Sequence, residues 1–540
     1  MRVADCNRRL RFSLTLEHVL SSMLTPISSS ANTVHHEYTV NMHEVVVALD
    51  SGTTSTRAMV FDRDGRTVAA EQIGHEQLFP QPGWVEHDPV ELWNNARTVL
   101  NVVIERLGVT PSAVVGLGIT NQRETAVVWN RVTGLPLGRA IVWQDTRTQS
   151  RVDALRERGD ADTVTALTGL PVATYFSATK FAEILDTHAG ARESAQRGEI
   201  LAGTVDSWLL WNLTGGVDDG RHLTDVTNAS RTLLMDIETL SWRDDLCELF
   251  DVPRSILPAI VPSGFEFGLV RTIPVLDGVT IAAMVGDQQA ATLGHVAIDA
   301  GDAKNTYGTG NFLMVSTGED LVRSTHGLIS TVAFQRDGEK VRYALEGSVA
   351  VSGSLVQWLR DNLGLISRSD EIEALAASVP DSGGIVIVPA FSGLFAPHWR
   401  PDARGIIAGL TRFTTKAHIA RAALESVACQ SRDVMAAVEK DLGKPIRVLN
   451  VDGGMVHNNL LMQLQADISG IPVVRQVTTE TTAVGVAFAA GLTVGFWRDE
   501  DELRTLTRDG DRFEPLMSSD SRESLLREWD KGIERSLNWV

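Results

Sequence analysis

Several stretches of the chain combine residue types that can do chemistry. Asp50-Ser-Gly-Thr-Thr-Ser55 offers a carboxylate, hydroxyls and the N–H groups of a glycine-containing turn. Successive free N–H groups form a nest for an anion. A carboxylate in that nest repels phosphate unless a divalent cation lies between them, so the combination fits a metal–nucleotide site. A plain hairpin turn is the alternative. Tyr307-Gly-Thr-Gly310 repeats the pattern, and Asp452-Gly-Gly454, ahead of a helix, would let a base or phosphate approach the backbone closely. Three such loops, each after an apolar strand and spread over both halves, favour one nucleotide clamped between two parts of the chain.

A second group is polar in another way. Asn121-Gln-Arg-Glu-Thr125 places Arg123 beside Glu124, although such a pair in isolation is usually a solvated surface feature. Gly286-Asp-Gln-Gln-Ala290 follows the apolar Ile281–Val285. An Asp at the end of a buried strand is well placed as a general base, with a helix N-cap as the alternative reading. Other chemistries lack their signatures. Gly443-Lys444 is followed by Pro rather than completing a phosphate-binding loop, and Gly116-Leu-Gly118 meets Asn121 where a dinucleotide fingerprint needs Gly. Neither HExxH nor GxSxG occurs.

These loops need elements to hold them. Val45–Leu49 reads as a buried strand, and Ala58–Phe61 as its antiparallel partner. Ala303–Thr306 and Phe312–Val315 form a second strand–turn–strand unit, which suggests two similar α/β halves with a boundary near 294–301. Asp88-Pro-Val-Glu91 has the signature of a helix start. Val90, Trp93, Ala96, Leu100, Val103 and Leu107 then recur at helical spacing. Val114–Thr120 is the next strand. Further on, Ile419, Ala422, Ala423, Ser426, Val427 and Val434 mark a long helix, Val448–Val451 a strand, and Asn458 the start of another helix.

The 540 residues have room for several domains, and 43% hydrophobic with 22% charged residues is ordinary for a globular chain. The net charge of −19 argues against nucleic-acid or anionic-membrane partners, which require clustered positive charge. Cys6, Cys247 and Cys429 form no CxxC, as expected of idle thiols in a reducing cytoplasm. The most lipid-like stretch, Ala483–Gly495, is too short and too rich in Gly for a membrane span. Residues 1–43 read as a disordered extension, or as sequence upstream of a true start at Met42.

Taken together, the motifs resemble the FGGY carbohydrate kinases. The matching strings include VALDSGTTSTR (47–57), PGWVEHDP (82–89), GITNQRET (118–125), AIVWQDTR (140–147), TDVTNASRT (224–232), GDQQAA (286–291), NTYGTGNF (305–312), ALEGSVAVSGSLVQWLRD (344–361) and VDGGMVHNN (451–459). The match runs almost colinearly from about 45 to the C-terminus, and NQRET with GDQQA is most similar to the members that phosphorylate glycerol. The resemblance implies two actin-like, ribonuclease-H-like α/β domains, 44–296 and 297–540, facing each other across a cleft. It implies ATP and Mg²⁺ as cofactors, glycerol as substrate in the first step of its breakdown, and a cytoplasmic homodimer or homotetramer.

Residue by residue, the resemblance implies that Arg123, Glu124, Tyr175, Asp287 and Gln288 hold the triol, with Asp287 as general base. Trp143 and Phe312 would pack on its carbon chain. Thr53, Thr54, Ser55 and Arg57 would meet the phosphates, and Asp50 the metal. Thr309, Gly353, Gln357, Gly454 and Asn458 would complete the nucleotide site. Two departures stand out. Ser51 occupies the position where most glycerol-phosphorylating members carry Gln. Residues 262–286 lack both the Gly-Lys-Gly loop through which some relatives bind a sugar bisphosphate and any His for phosphohistidine activation. Both controls are therefore expected to be absent, and inhibition by physiological fructose 1,6-bisphosphate would contradict that. Two other readings stay open: a kinase for another polyol or ketose, and a non-catalytic sensor or actin-like ATPase module.

Overall fold

The computed structural model describes residues 44–539, apart from 479 and 508. The expectations for residues 1–43 lie outside the described residues. The first sheet contains β1 (Val45–Ser51), β2 (Ser55–Phe61), β3 (Thr67–Gly74), β4 (Val114–Asn121), β5 (Gly264–Leu269) and β6 (Thr280–Gly286), in the order β5-β6-β4-β1-β2-β3. The second contains β7 (Ala303–Tyr307), β8 (Asn311–Gly318), β9 (Ile329–Phe334), β10 (Arg342–Val349), β11 (Leu449–Asp452), β12 (Val473–Gln476) and β13 (Asp509–Phe513), in the order β9-β10-β8-β7-β11-β12-β13.

The two sheets share one pattern. A hairpin, β1–β2 or β7–β8, is extended on one side by an antiparallel strand, β3 or β10. On its other side lie two parallel strands, β4 and β6 or β11 and β12, and then an antiparallel edge strand. The doubled hairpin read from the sequence is thus the centre of a doubled sheet, with β9 added to the second copy.

Register decides where the chemistry sits. Asp50 lies opposite Thr120 on β4, and Gly286 lies opposite Asn121 on the same strand. The carboxyl ends of β1, β4 and β6 therefore form one edge, the place where ligands bind in open α/β sheets. In the second sheet Thr306 lies opposite Asp452, which brings the Tyr307–Gly310 turn beside Asp452-Gly-Gly454.

Helix α1 (Pro89–Leu107) begins as expected, with the Asp88 side chain accepting from Val90 N and Pro at its first position. Its buried stripe is Leu92, Ala96, Val99, Leu100, Val103 and Ile104. The expected stripe was rotated slightly. Val90, in the first turn, is exposed, and Trp93 and Leu107 lie at the margin of the first sheet's core. Helices α2 (Ser177–Thr187), α3 (Val226–Ala229) and α4 (Asp287–Gly294) follow in the first half. The second half adds α5 (Gly353–Asp361), the long α6 (Lys416–Leu442), α7 (Asn459–Ser469) and α8 (Thr481–Thr493).

Helix α8 is the lipid-like stretch of the sequence. It comes from the second half of the chain but is buried with Val46, Ala48 and Val285 of the first sheet and with Ala290 and Leu293 of α4. Glycines set its contact with α4. A Cβ at Gly485 would lie 1.7 Å from Ala290 O, and one at Gly294 would lie 2.1 Å from Thr481 O. Among the described residues no helix is long and apolar enough to cross a membrane.

Candidate functional site

Asp50 stands at the end of β1. Burial pushes its carboxyl up from 3.8 to about 7; Arg57 opposes this and Asp287 adds to it. The turn that follows is braced from behind. His75 Nε2 bonds Thr53 O at 2.9 Å, His75 N donates to Thr54 O at 3.2 Å, and Trp143 Nε1 donates to Thr53 Oγ1 at 3.0 Å. Gly52 N donates to Ser55 O at 3.0 Å, so that N–H closes the turn and is not a free member of the expected nest. Arg57 is also engaged, with Gln72 through Nε and Nη2 and with Glu480 through Nη1. The Ser51 hydroxyl is buried without a partner.

Asp287 is the first residue of α4, with Gly286 at the cap position. Its Oδ1 accepts from Gln288 N at 2.7 Å, and Oδ2 accepts from Gln288 Nε2 at 3.2 Å. Arg123 Nε lies 3.1 Å from Oδ1, and the Asp287 side chain keeps 27% of its exposure. The N-cap alternative does not hold, because Gly286 occupies the cap position and, among the described residues, the Asp287 carboxylate accepts hydrogen bonds only from the next residue; its open face leaves the carboxylate free to meet a ligand.

Arg123 and Glu124 are not a solvated pair. Both are 2% exposed, and their closest ionic approach is 3.9 Å. Glu124 adopts φ 61°, a left-handed conformation that side chains rarely take and that concentrates at functional sites. Arg123 donates from Nη1 and Nη2 to Glu346 at 2.6 and 2.9 Å, and Glu124 accepts from Arg231 Nε at 2.6 Å. Burial raises the proton affinity of Glu124, with Arg231 and Arg123 opposing it. Three of the aromatic residues named from the sequence converge. Trp143 meets Tyr175 with ring centres 5.6 Å apart and Phe312 of the second sheet at 6.0 Å, both edge to face.

Sequence reasoning missed three charged residues here: Arg231, Glu346 and Lys304. Lys304, on β7, is fully buried and donates to Gln288 Oε1 at 2.6 Å and to Thr306 Oγ1 at 2.9 Å. Burial lowers its ammonium to about 8, against the pull of Asp452 and Asp287. For Glu346 the available signal was a lone charge inside an apolar strand, Ala344-Leu-Glu-Gly347; Arg231 in its turn and Lys304 in the polar Ala303-Lys-Asn-Thr-Tyr307 gave none.

The remaining residues gather elsewhere. Thr309, Gly353, Gln357, Gly454 and Asn458 all line one cavity of about 550 Å³, joined by Ile372 and Glu373. Gly308, Gly353 and Gly454 contribute backbone to its wall. Gly353 N donates to Gly308 O at 3.0 Å, and a Cβ at Gly353 would sit 2.5 Å from that oxygen. Gly453 takes φ 91°, and a Cβ there would meet Tyr307 O at 2.5 Å. Asn458 caps α7 by accepting from Leu461 N at 2.8 Å. Beside the cavity, Asp452 accepts from Thr481 Oγ1 at 2.6 Å and bonds His295 Nε2 at 2.7 Å.

The chain as a whole has close counterparts among known proteins. The N-terminal domain of the FGGY family of carbohydrate kinases matches residues 45–294, and the C-terminal domain of that family matches 303–494. The chain belongs to the FGGY family of carbohydrate kinases. Within that family it is similar to the glycerol kinase of Clavibacter michiganensis subsp. michiganensis, with 56% identity over 92% of this chain and 98% of the relative. It is equally similar to that of Leifsonia xyli subsp. xyli, with 56% identity over 92% and 99%. Among solved structures, Plasmodium falciparum glycerol kinase with ADP superposes with a TM-score of 0.85 at 38% identity, covering 92% of this chain and 98% of that one. A xylulose kinase from Rhodospirillum rubrum has a TM-score of 0.78 at 26% identity, over 91% and 99%.

Proposed function

We propose that the chain is a glycerol kinase: it transfers the terminal phosphoryl group of ATP to glycerol by direct in-line displacement, giving sn-glycerol 3-phosphate. The observation that carries this reading is that the Arg123, Glu124 and Asp287 cluster and the Trp143, Tyr175 and Phe312 cluster are joined through Arg231, which bonds Glu124 and lies over the Tyr175 ring. Glycerol has no charge to grip, so selection must come from pairing its hydroxyls with buried polar groups that would otherwise stay unpaired. Arg123 and Glu124 supply donor and acceptor, Tyr175 and Gln288 add polar contacts, and Trp143 and Phe312 cover the carbon chain.

Asp287 accepts the proton of the attacking hydroxyl as the new O–P bond forms and the bond to ADP breaks. Such transfers pass through a loose in-line transition state, so positioning and charge stabilisation do most of the work. Thr53, Thr54, Ser55 and Arg57 would meet the phosphates. Thr309, Gly353, Gln357, Gly454 and Asn458 would hold the rest of the nucleotide, since an apolar cavity with close backbone approach suits a flat base. In this reading 44–296 is the glycerol and phosphate lobe and 297–540 the adenine lobe, in a cytoplasmic homodimer or homotetramer.

The residues present fit a magnesium ion. Asp50 offers a hard oxygen donor whose ionised form is disfavoured by burial, which a cation would reverse. Among the described residues no group of three or more His, Cys, Asp or Glu could hold a metal. Nucleotide-linked Mg²⁺ rests on one or two carboxylates together with phosphate oxygens and water. When bound, the ion neutralises phosphate charge; Asp50 would hold it.

The likeness to a xylulose kinase keeps a second reading alive, that of a kinase for another polyol or a ketose. The test is ATP-dependent turnover of glycerol, dihydroxyacetone, xylulose and ribulose, with the full chain and with the chain begun at Met42. Strong preference for glycerol is expected. Preference for a ketose would keep Asp50 and Asp287 in their roles but overturn those of Arg123, Glu124 and Tyr175.

A further inference from the structure

Glu346 lies in β10 between Leu345 and Gly347 and is 0% exposed. A lone carboxylate there would cost several kcal/mol unless paired. It is paired four times. Arg123 reaches both of its oxygens, at 2.6 and 2.9 Å, Arg231 Nη2 donates to Oε1 at 3.2 Å, and Ser348 Oγ donates to Oε1 at 3.1 Å. Burial would raise its proton affinity, but Arg123 and Arg231 drive it down to about 2, so it stays ionised. Arg231 is equally enclosed, with its guanidinium 5.3 Å from the Phe176 ring centre and 5.6 Å from that of Tyr175, and its Nε on Glu124.

The four groups form a closed box of two positive and two negative charges. Three come from the first half of the chain, and Glu346 comes from the second sheet. We propose that Glu346 and Arg231 are positioning residues for the polyol side: Glu346 fixes the guanidinium of Arg123, Arg231 fixes the carboxylate of Glu124, and the second sheet thereby sets the geometry that a polyol hydroxyl meets. This rests on the glycerol reading above. Without Glu346, Arg123 has its nearest alternative anions in Asp287 at 3.1 Å and Glu124 at 3.9 Å, and it would swing towards them. Both are residues the substrate needs. A misplacement of about 1 Å in a positioned group can cost on the order of 10²-fold in rate.

The test compares wild type with Glu346→Gln and Arg231→Lys, reading KM for glycerol, KM for ATP, kcat and the rise in melting temperature caused by glycerol. Both variants are expected to raise KM for glycerol by roughly tenfold or more, to leave KM for ATP within about twofold, and to shrink the glycerol-induced melting shift. A purely structural role would lower the active fraction and leave KM for glycerol unmoved, and that result overturns the proposal. Should Glu346→Gln fail to fold, Arg231→Lys decides: it keeps the buried charge but cannot bond Glu124 and Glu346 in a fork. If wild type prefers a ketose, the glycerol reading falls, the same comparison is made with that substrate, and an unchanged KM still overturns the positioning role. A wild type with neither turnover nor any substrate-induced melting shift overturns both.

Discussion

The two sides of the site are built from opposite materials. The proposed polyol side is side chain and charge: Arg123, Arg231, Glu124 and Glu346 are buried and mutually bonded, with Asp287 at their open edge. The proposed nucleotide side is open space, a cavity of about 550 Å³ whose lining combines Gly308, Gly353 and Gly454 with Val356 and Ile372 and with Asp370 and Glu373 at its wall. In the proposed function the difference follows from what each side must recognise. A small neutral triol offers only hydroxyls, so its partners must be preorganised and directional. A nucleotide brings its own area and charge, so its pocket needs room and close approach.

This contrast predicts that lesions on one side leave the other intact. Asp287→Asn should produce the largest effect, a loss of about 10²–10⁴-fold in kcat with ADP affinity retained. A loss below tenfold would remove Asp287 from its role as base. Gly353→Ala places a methyl 2.5 Å from the backbone oxygen of Gly308, which cannot swing aside as a side chain could. Overpacking of this kind costs roughly 1–3 kcal/mol, so KM for ATP should rise about tenfold while KM for glycerol stays put; equal rises in both would erase the distinction.

The boundary between the two sides has its own pH signature. The carboxyl of Asp50 is raised from 3.8 to about 7, so the cation-free folded chain binds this proton more tightly than the unfolded chain does. Its contribution to stability is complete below about pH 4 and is lost as pH rises through about 7. Melting temperatures without ligand should therefore decline across that window, less steeply in Asp50→Asn. Mg²⁺ with ADP should restore more stability to wild type near pH 8 than near pH 6. An identical pH profile for the variant would refute this. The smallest effect is expected of Asn458→Ala, which removes the α7 cap at a cost of about 1 kcal/mol, with a modest rise in KM for ATP and none for glycerol.

The turns of the proposed nucleotide side were the more legible in the sequence. Glycine turns after apolar strands are local signals, and Tyr307–Gly310 and Asp452–Gly454 announce themselves by composition and then meet through the β7–β11 register. The strands, the doubled hairpin and the long α6 were legible for the same reason, because periodicity is local. The polyol side depends on pairings between residues more than a hundred positions apart, such as Arg123 with Glu346 and Glu124 with Arg231. Arg123 and Glu124 could be seen side by side, but spacing alone suggested that they face water. Which buried strand supplies the opposing charge is set by the way the two sheets meet, and no single stretch encodes it.

Helix α8 carries a consequence for how the gene tolerates change. Its first turn follows Glu480, bonded to Arg57, and includes Thr481, bonded to Asp452, while its middle fits against α4, whose first residue is Asp287. The proposed phosphate turn, nucleotide floor and base are thus referenced to one seam with no room for a methyl group at Gly485 or Gly294. In a growth selection on glycerol, single alanine codons at these two apolar, ligand-free positions should score with the active-site knockouts, whereas the charged surface nearby should accept almost any codon.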